Sequence, residues 1–206
     1  MISRRTAEAY DRIASVFARI HATMPDTLAD YGHRFLSLIG PNARVLDVGC
    51  GVGRDMAWME AQGARVTGFD LSVGMLAQAR RRVRSELLQG DMRRLPFPDG
   101  TFAGVWCIAA LLHLPKADAP AALAEVRRVT VGQRLRLWAD EIHAIANEGL
   151  HFEGDNPYSA RRCRRLLRIA AGLFALQDVI LCHCSSSSSQ SSTYGTPPTD
   201  LINVYA

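Results

Sequence analysis

The stretch VLDVGCGVGRD, residues 45–55, constrains the fold of this chain more than any other. A short apolar run leads straight into glycines at positions 49, 51 and 53, and a helix-forming sequence begins at Arg54. A run of that length bounded by glycine reads as a buried strand. Glycine at every second position leaves a turn whose backbone can take positive φ and can be touched by a ligand. In an open parallel sheet, such a turn after the first strand is the usual place for a ligand to bind.

The rest of the chain supplies the sheet. Residues 6–20 read as a helix, with Ala9, Ile13, Val16, Phe17 and Ile20 on one face, and residues 26–39 as a second, stopped by the GPN that follows. Strands are then expected at 44–48, 65–69, 86–89, 102–109, 134–138, 174–182 and 201–204. Helices are expected at 54–62, 73–84, 117–129 and 159–171. Such alternation predicts a Rossmann-like α/β fold: a seven-stranded, mostly parallel sheet with helices on both faces and the last strand antiparallel. Residues 1–206 read as a single domain, with 1–40 as an N-terminal helical cap. The serine-rich stretch 185–199 has little to bury and reads as a mobile low-complexity loop.

Composition narrows the function. The 206 residues carry 24 Lys and Arg against 20 Asp and Glu, a net charge of +4. Lys116 is the only lysine, and the arginines cluster at 80–84 and 161–168. Neither cluster contains the aromatics a nucleic-acid groove would use, so both are expected to be solvated helix faces and nucleic acid is not the expected partner. No apolar run is long enough for a membrane span, and the N-terminus lacks a signal-peptide core. A cytoplasmic protein is expected. The five cysteines are irregularly spaced; Cys182 and Cys184 flank His183 without a second pair, so no metal site is expected. The oligomeric state is not legible.

The second and third strands say more about the ligand. G-x-G-x-G places Arg54 where a dinucleotide fingerprint needs its last glycine, so the pyrophosphate spacing fails. VTGFD ends at Asp70, seventeen residues past Gly53, where a carboxylate can accept both hydroxyls of a ribose. QGDM ends the third strand, where Asp91 can accept an adenine amine and the Met92 N–H can meet a ring nitrogen. Together these residues describe adenosine joined to something small and polar.

With these stretches, the chain resembles the class I S-adenosylmethionine-dependent methyltransferases, in their small-molecule, type 11-like branch. YDRIA, VLDVGCGVGRD, VTGFDLSVGML, QGDMRRLPFPDGTFAGVW, LLHLP and AEVRRV carry the resemblance over most of residues 8–140. It implies that S-adenosylmethionine is the cofactor and S-adenosylhomocysteine the product, with a small-molecule methyl acceptor. It implies that Gly49, Gly51 and Gly53 line the methionine and ribose, and that Asp47 orients the methionyl ammonium. Arg54 would pair with the methionyl carboxylate, Asp70 take the ribose, Leu71 pack on the adenine, and Asp91 and Met92 bind its edge. Cys107 and Ile108 would flank the sulfonium, and Tyr10 close over the cofactor. The chain departs from the family in Val131-Gly132-Gln133, where Pro-Gly-Gly is usual, and at Ala103, where Asp is usual.

His113 follows the fourth strand, on the acceptor side. Histidine titrates near neutral pH and can take a proton from an acceptor hydroxyl or amine, though a loop histidine bracing backbone explains the position as well. An RNA-modifying methyltransferase and a non-catalytic S-adenosylmethionine-binding protein remain alternatives.

Overall fold

The computed structural model describes residues 2–115, 117–131, 137–139 and 179–181. Two helices, α1 (Ile2–Ile20) and α2 (Asp26–Ile39), precede the sheet. The alternation then runs β1 (Arg44–Val48), α3 (Arg54–Ala61), β2 (Arg65–Asp70), α4 (Val73–Ala79), β3 (Leu87–Gln89), β4 (Gly104–Trp106), α5 (Ala119–Val129), β5 (Leu137–Ala139) and β6 (Val179–Leu181). The strand order is β3-β2-β1-β4-β5-β6, and every described pairing is parallel. The order reverses direction at β1, which lies between β2 and β4. Ligands in open α/β sheets bind beyond the strand ends at such a reversal.

The central strands are apolar because both faces are covered. Val45, Leu46 and Val48 are fully buried, and Phe69 and Trp106 nearly so. One cluster joins Leu46, Val48, Phe69, Phe102 and Val105 to Leu123, Val126 and Val129 of α5. The other joins Val45, Val66 and Trp106 to Leu28 and Phe35 of α2 and to Met56 and Met59 of α3. Each large side chain moved from water into such a core contributes about 1.5–3 kcal/mol. Gly104 lets α2 sit flush on β4, since a Cβ there would come within 2.8 Å of the Phe35 ring.

Two elements differ in extent from the sequence expectation. The helix expected to reach residue 84 stops at Ala79, with Arg80 as its cap. The arginines beyond it make tertiary contacts: Arg82 reaches the carbonyls of Ala18 and Ala22 at the end of α1, and Arg80 bonds the Ser85 carbonyl. The strand expected over 102–109 keeps only Gly104–Trp106, because Phe102 bridges to Thr130 and Ala109 takes a φ of 53° that breaks the extended chain. Val179–Leu181 is parallel to β5. The antiparallel strand expected at 201–204, the helix at 159–171 and the serine-rich loop lie outside the described residues. No helix among the described residues is long and apolar enough to cross a membrane.

Candidate active site

Four functional segments meet at the carboxyl ends of β1, β2, β3 and β4. The β1 turn is built as the glycines require. Gly49 has a φ of 77°, and a Cβ there would strike the Ala110 Cβ at 2.3 Å. Gly51, with a φ of 53°, differs: a Cβ on it would meet only the Gly49 carbonyl, at 4.0 Å. Gly49 is closed off by protein, whereas Gly51 faces open space. The Gly49 and Cys50 N–H groups both donate to the Phe69 carbonyl and tie the turn to β2.

Asp70 ends β2 beside this turn. The Gly51 N–H donates to its Oδ2 and the Ser72 N–H to its Oδ1, each at 2.8 Å. Each carboxylate oxygen can accept a further hydrogen bond. Burial nevertheless raises its pKa, with those backbone donors opposing the shift.

Asp47, at the end of β1, is 2% exposed, and its Oδ2 has no hydrogen-bond partner among the described residues. Burial drives its pKa well above the ordinary carboxylate range, reinforced by the charges of Asp55 and Asp70 and opposed by Arg54. A buried carboxylate oxygen without a donor is costly unless a ligand supplies one. An ammonium would do so, and the open glycine-lined turn that holds Asp70 lies next to it. The residues present therefore suit an adenosyl amino acid.

Other expected contacts are engaged elsewhere. The Arg54 Nε–H donates to Asp55 Oδ1 at 2.6 Å, and the Trp106 indole N–H holds the other oxygen of Asp55 at 2.9 Å. Asp91 is gripped by Arg93, whose Nε donates to both of its oxygens, at 2.9 and 3.0 Å. This pairing lowers the Asp91 pKa, and Arg93 also reaches Asp118 before α5. Met92 packs against the core formed by the sheet and α5, and Leu71 is half-buried. Cys107 is 1% exposed and belongs to that core, so its thiol is a packing group, while Ile108 packs against the other cluster.

The structure brings together two residues that the sequence separates by 103 positions. The Tyr10 hydroxyl lies 3.0 Å from His113 Nε2, with the rings edge to face at 5.3 Å. Burial pushes the His113 pKa down to about 4. Three neighbours were not legible as site residues: Asp11, Asp55 and Arg93. Asp11 and Asp55 stand inside the quoted motifs YDRIA and VGRD, but nothing in their spacing shows what they hold. Among the described residues, no group of three or more His, Cys, Asp or Glu could hold a metal ion.

Known proteins resemble the chain over the region that carries these residues. Residues 45–132 match the model of a methyltransferase domain family. Over that stretch the chain is similar to a methyltransferase domain. Methyltransferase GfsG of Streptomyces halstedii is 37% identical over 107 residues, covering 45% of this chain and 38% of that protein. A malonyl-[acyl-carrier protein] O-methyltransferase of Serratia marcescens is 37% identical over 124 residues, covering 57% and 48%. The chain thus spans about half the length, or less, of these relatives. The crystal structure of the [4+2]-cyclase SpnF shares the fold, with a TM-score of 0.54 at 23% identity over 63% of this chain and 57% of that one.

Proposed function

We propose that this protein transfers a methyl group from S-adenosylmethionine to a small-molecule acceptor, in an intracellular setting. The observation that carries the proposal is the pairing of Asp70, held by the Gly51 and Ser72 amides, with the unpartnered buried oxygen of Asp47. One carboxylate is preset for ribose hydroxyls and the other lacks a cation.

In this proposal Asp70 binds the ribose, Asp47 the methionyl ammonium, and Gly49, Gly51 and Gly53 the intervening atoms. Asp91 and Met92 take the adenine edge, with Leu71 against its face. Asp91 then shares its carboxylate with Arg93, and Arg54 serves Asp55 before it serves a methionyl carboxylate. When bound, S-adenosylmethionine supplies a methyl group on a sulfonium sulfur, already reactive toward in-line displacement. The protein's main task is alignment of the acceptor. His113 stays neutral at pH 7, and in the tautomer whose Nε2–H donates to the Tyr10 hydroxyl its Nδ1 keeps a lone pair for an acceptor proton. The hydroxyl of an attacking acceptor becomes strongly acidic as its oxygen bonds the methyl carbon and the sulfonium bond breaks, so a weak base suffices. A small acceptor is favoured by the relative named for its malonyl-carrier substrate, and by the tertiary engagement of the arginines nearest the site. The seventh strand of this reading is 201–204, antiparallel on the free edge of β6.

Isothermal calorimetry with S-adenosylmethionine, S-adenosylhomocysteine and NAD tests the cofactor, and turnover on a panel of small acceptors and bulk RNA tests the reaction. Binding of both adenosyl ligands and not of NAD is expected. Asp70→Ala should weaken adenosyl binding by more than tenfold, since each hydrogen bond to a charged group contributes about 1.5–3 kcal/mol. An unchanged dissociation constant would remove Asp70 from the site. Binding without turnover on any acceptor would favour the non-catalytic alternative.

A further inference from the structure

Asp11 makes none of the expected cofactor contacts, yet it seats α1 on the ribose-binding turn. Its Oδ1 accepts the Ser72 hydroxyl at 2.5 Å and the Gly74 N–H at 2.7 Å. Ser72 is the N-cap of α4, and its Oγ accepts the Met75 N–H at 3.1 Å. The Ser72 N–H meanwhile donates to Asp70 Oδ1. One residue therefore holds the ribose acid with its backbone and Asp11 with its side chain. The fit is close: a Cβ on Gly74 would lie 2.8 Å from the Asp11 Cα.

The next residue back from Asp11 is Tyr10, which meets His113. Apolar packing on α1 is gathered in one cluster. Ala14 is buried with Val52 of the glycine turn and Met75 of α4, and Tyr10, Phe17 and Ala18 pack against them, whereas Ile13, Val16 and Ile20 are 46%, 44% and 70% exposed. Polar contacts add to this packing toward both ends of the helix. At its far end the pin is Arg82 on the Ala18 and Ala22 carbonyls. At the site end it is Asp11.

We infer that Asp11 is a positioning residue that couples occupancy of the ribose site to the docking of α1, and so to the placement of Tyr10 against His113. The inference rests on the cofactor proposal above. Hydroxyls on Asp70 favour the geometry in which Ser72 spans Asp70 and Asp11, and Val52 joins the same turn to α1 through packing. A ligand that prefers this geometry shifts α1 toward its docked state.

Hydrogen exchange on the full chain, with and without S-adenosylhomocysteine, tests this. In the wild type the ligand should slow exchange about tenfold or more both in the turn at 49–53 and in α1 around 9–18. In Asp11→Ala the ligand should still protect the turn and no longer protect α1. Asp11→Asn keeps a carbonyl oxygen for Ser72 and Gly74 and should restore most of the effect. Gly74→Ala, whose Cβ would press on the Asp11 backbone and Oδ1 and so displace α1 while leaving Asp70 untouched, should repeat the Asp11→Ala result. Ligand protection of α1 that survives Asp11→Ala would overturn the inference. So would loss of protection in the turn and in α1 alike, since Asp11 would then be a general stability residue. A wild-type protein that binds the ligand and protects the turn but not α1 sinks this inference alone; one that does not bind sinks the cofactor proposal with it.

Discussion

Asp47 is where folding and binding conflict most plainly. Its folded-state pKa is raised, so the native state holds more protons than the unfolded chain between the usual carboxylate value and the raised one. Stability of the ligand-free protein therefore falls as pH rises through that window. Asp47→Asn removes the buried charge at nearly constant shape. The variant should melt higher than the wild type at pH 7 without ligand and bind S-adenosylhomocysteine at least tenfold more weakly, a trade expected when a binding group is strained. Paired melting and calorimetry check it, and a variant that is both less stable and fully binding would contradict it. His113 has the opposite sign. Its pKa is lowered to about 4 by burial, so the unfolded chain binds its proton first, and the contribution of a neutral His113 is lost as pH falls from about 6.5 toward 4. With His113 as base, turnover should be flat across neutral pH and fall only as pH approaches 4. His113→Gln should lose about 100-fold in rate or more while cofactor affinity holds. A full-rate variant would leave alignment as the main contribution.

At the scale of elements, the β1 turn sets the site. Its glycines do different jobs, and substitution should separate them. Gly49→Ala forces a positive φ on alanine and drives its Cβ into Ala110 at 2.3 Å, so it should destabilise the protein by about 1–3 kcal/mol. Gly51→Ala shares the φ penalty but meets no such wall, so its larger effect should be on ligand affinity. Chemical denaturation and calorimetry on the two variants check the difference; equal effects on both properties would mean the turn acts only as structure. The quoted motif made the turn legible as a whole, because strand, glycines and helix start are local signals. It did not show which glycine is closed off by protein and which faces open space. That depends on Ala110, 61 residues from Gly49 in sequence.

For the whole molecule, ligand binding should appear as stability. At a hundred times the dissociation constant, S-adenosylhomocysteine should stabilise the protein by about 2.7 kcal/mol, or roughly 5–10 °C in Tm for a chain of this size. The gain should grow with pH through the Asp47 titration, because the ionised carboxylate is the form that accepts an ammonium. Differential scanning fluorimetry over a pH series running upward from the ordinary carboxylate value checks both. A shift independent of pH would mean that Asp47 does not change ionisation on binding. The remaining charge network acts in the other direction: Asp11, Asp91 and Glu125 have pKa values lowered by their partners, so their contributions are present above about pH 4 and are lost as pH falls further.

By itself the sequence determined the strand–helix alternation, the parallel sheet around β1, the glycine turn and the placement of Asp47, Asp70 and Asp91 at strand ends. These follow from local periodicity and from turn chemistry, which act over a few residues. It did not determine the length of β4, where alanine at 109 takes a positive φ, or the early end of α4. Only the tertiary structure decided which charges are free. It gave Arg93 to Asp91, Arg54 to Asp55 and Arg82 to α1, and left Asp47 with an oxygen that nothing in the described chain satisfies. It also placed Tyr10 on His113 and Asp11 on Ser72. Those pairings depend on how α1 lies across α4, a docking made by one apolar cluster and by hydrogen bonds between residues 61 to 103 positions apart. No periodicity encodes contacts of that range.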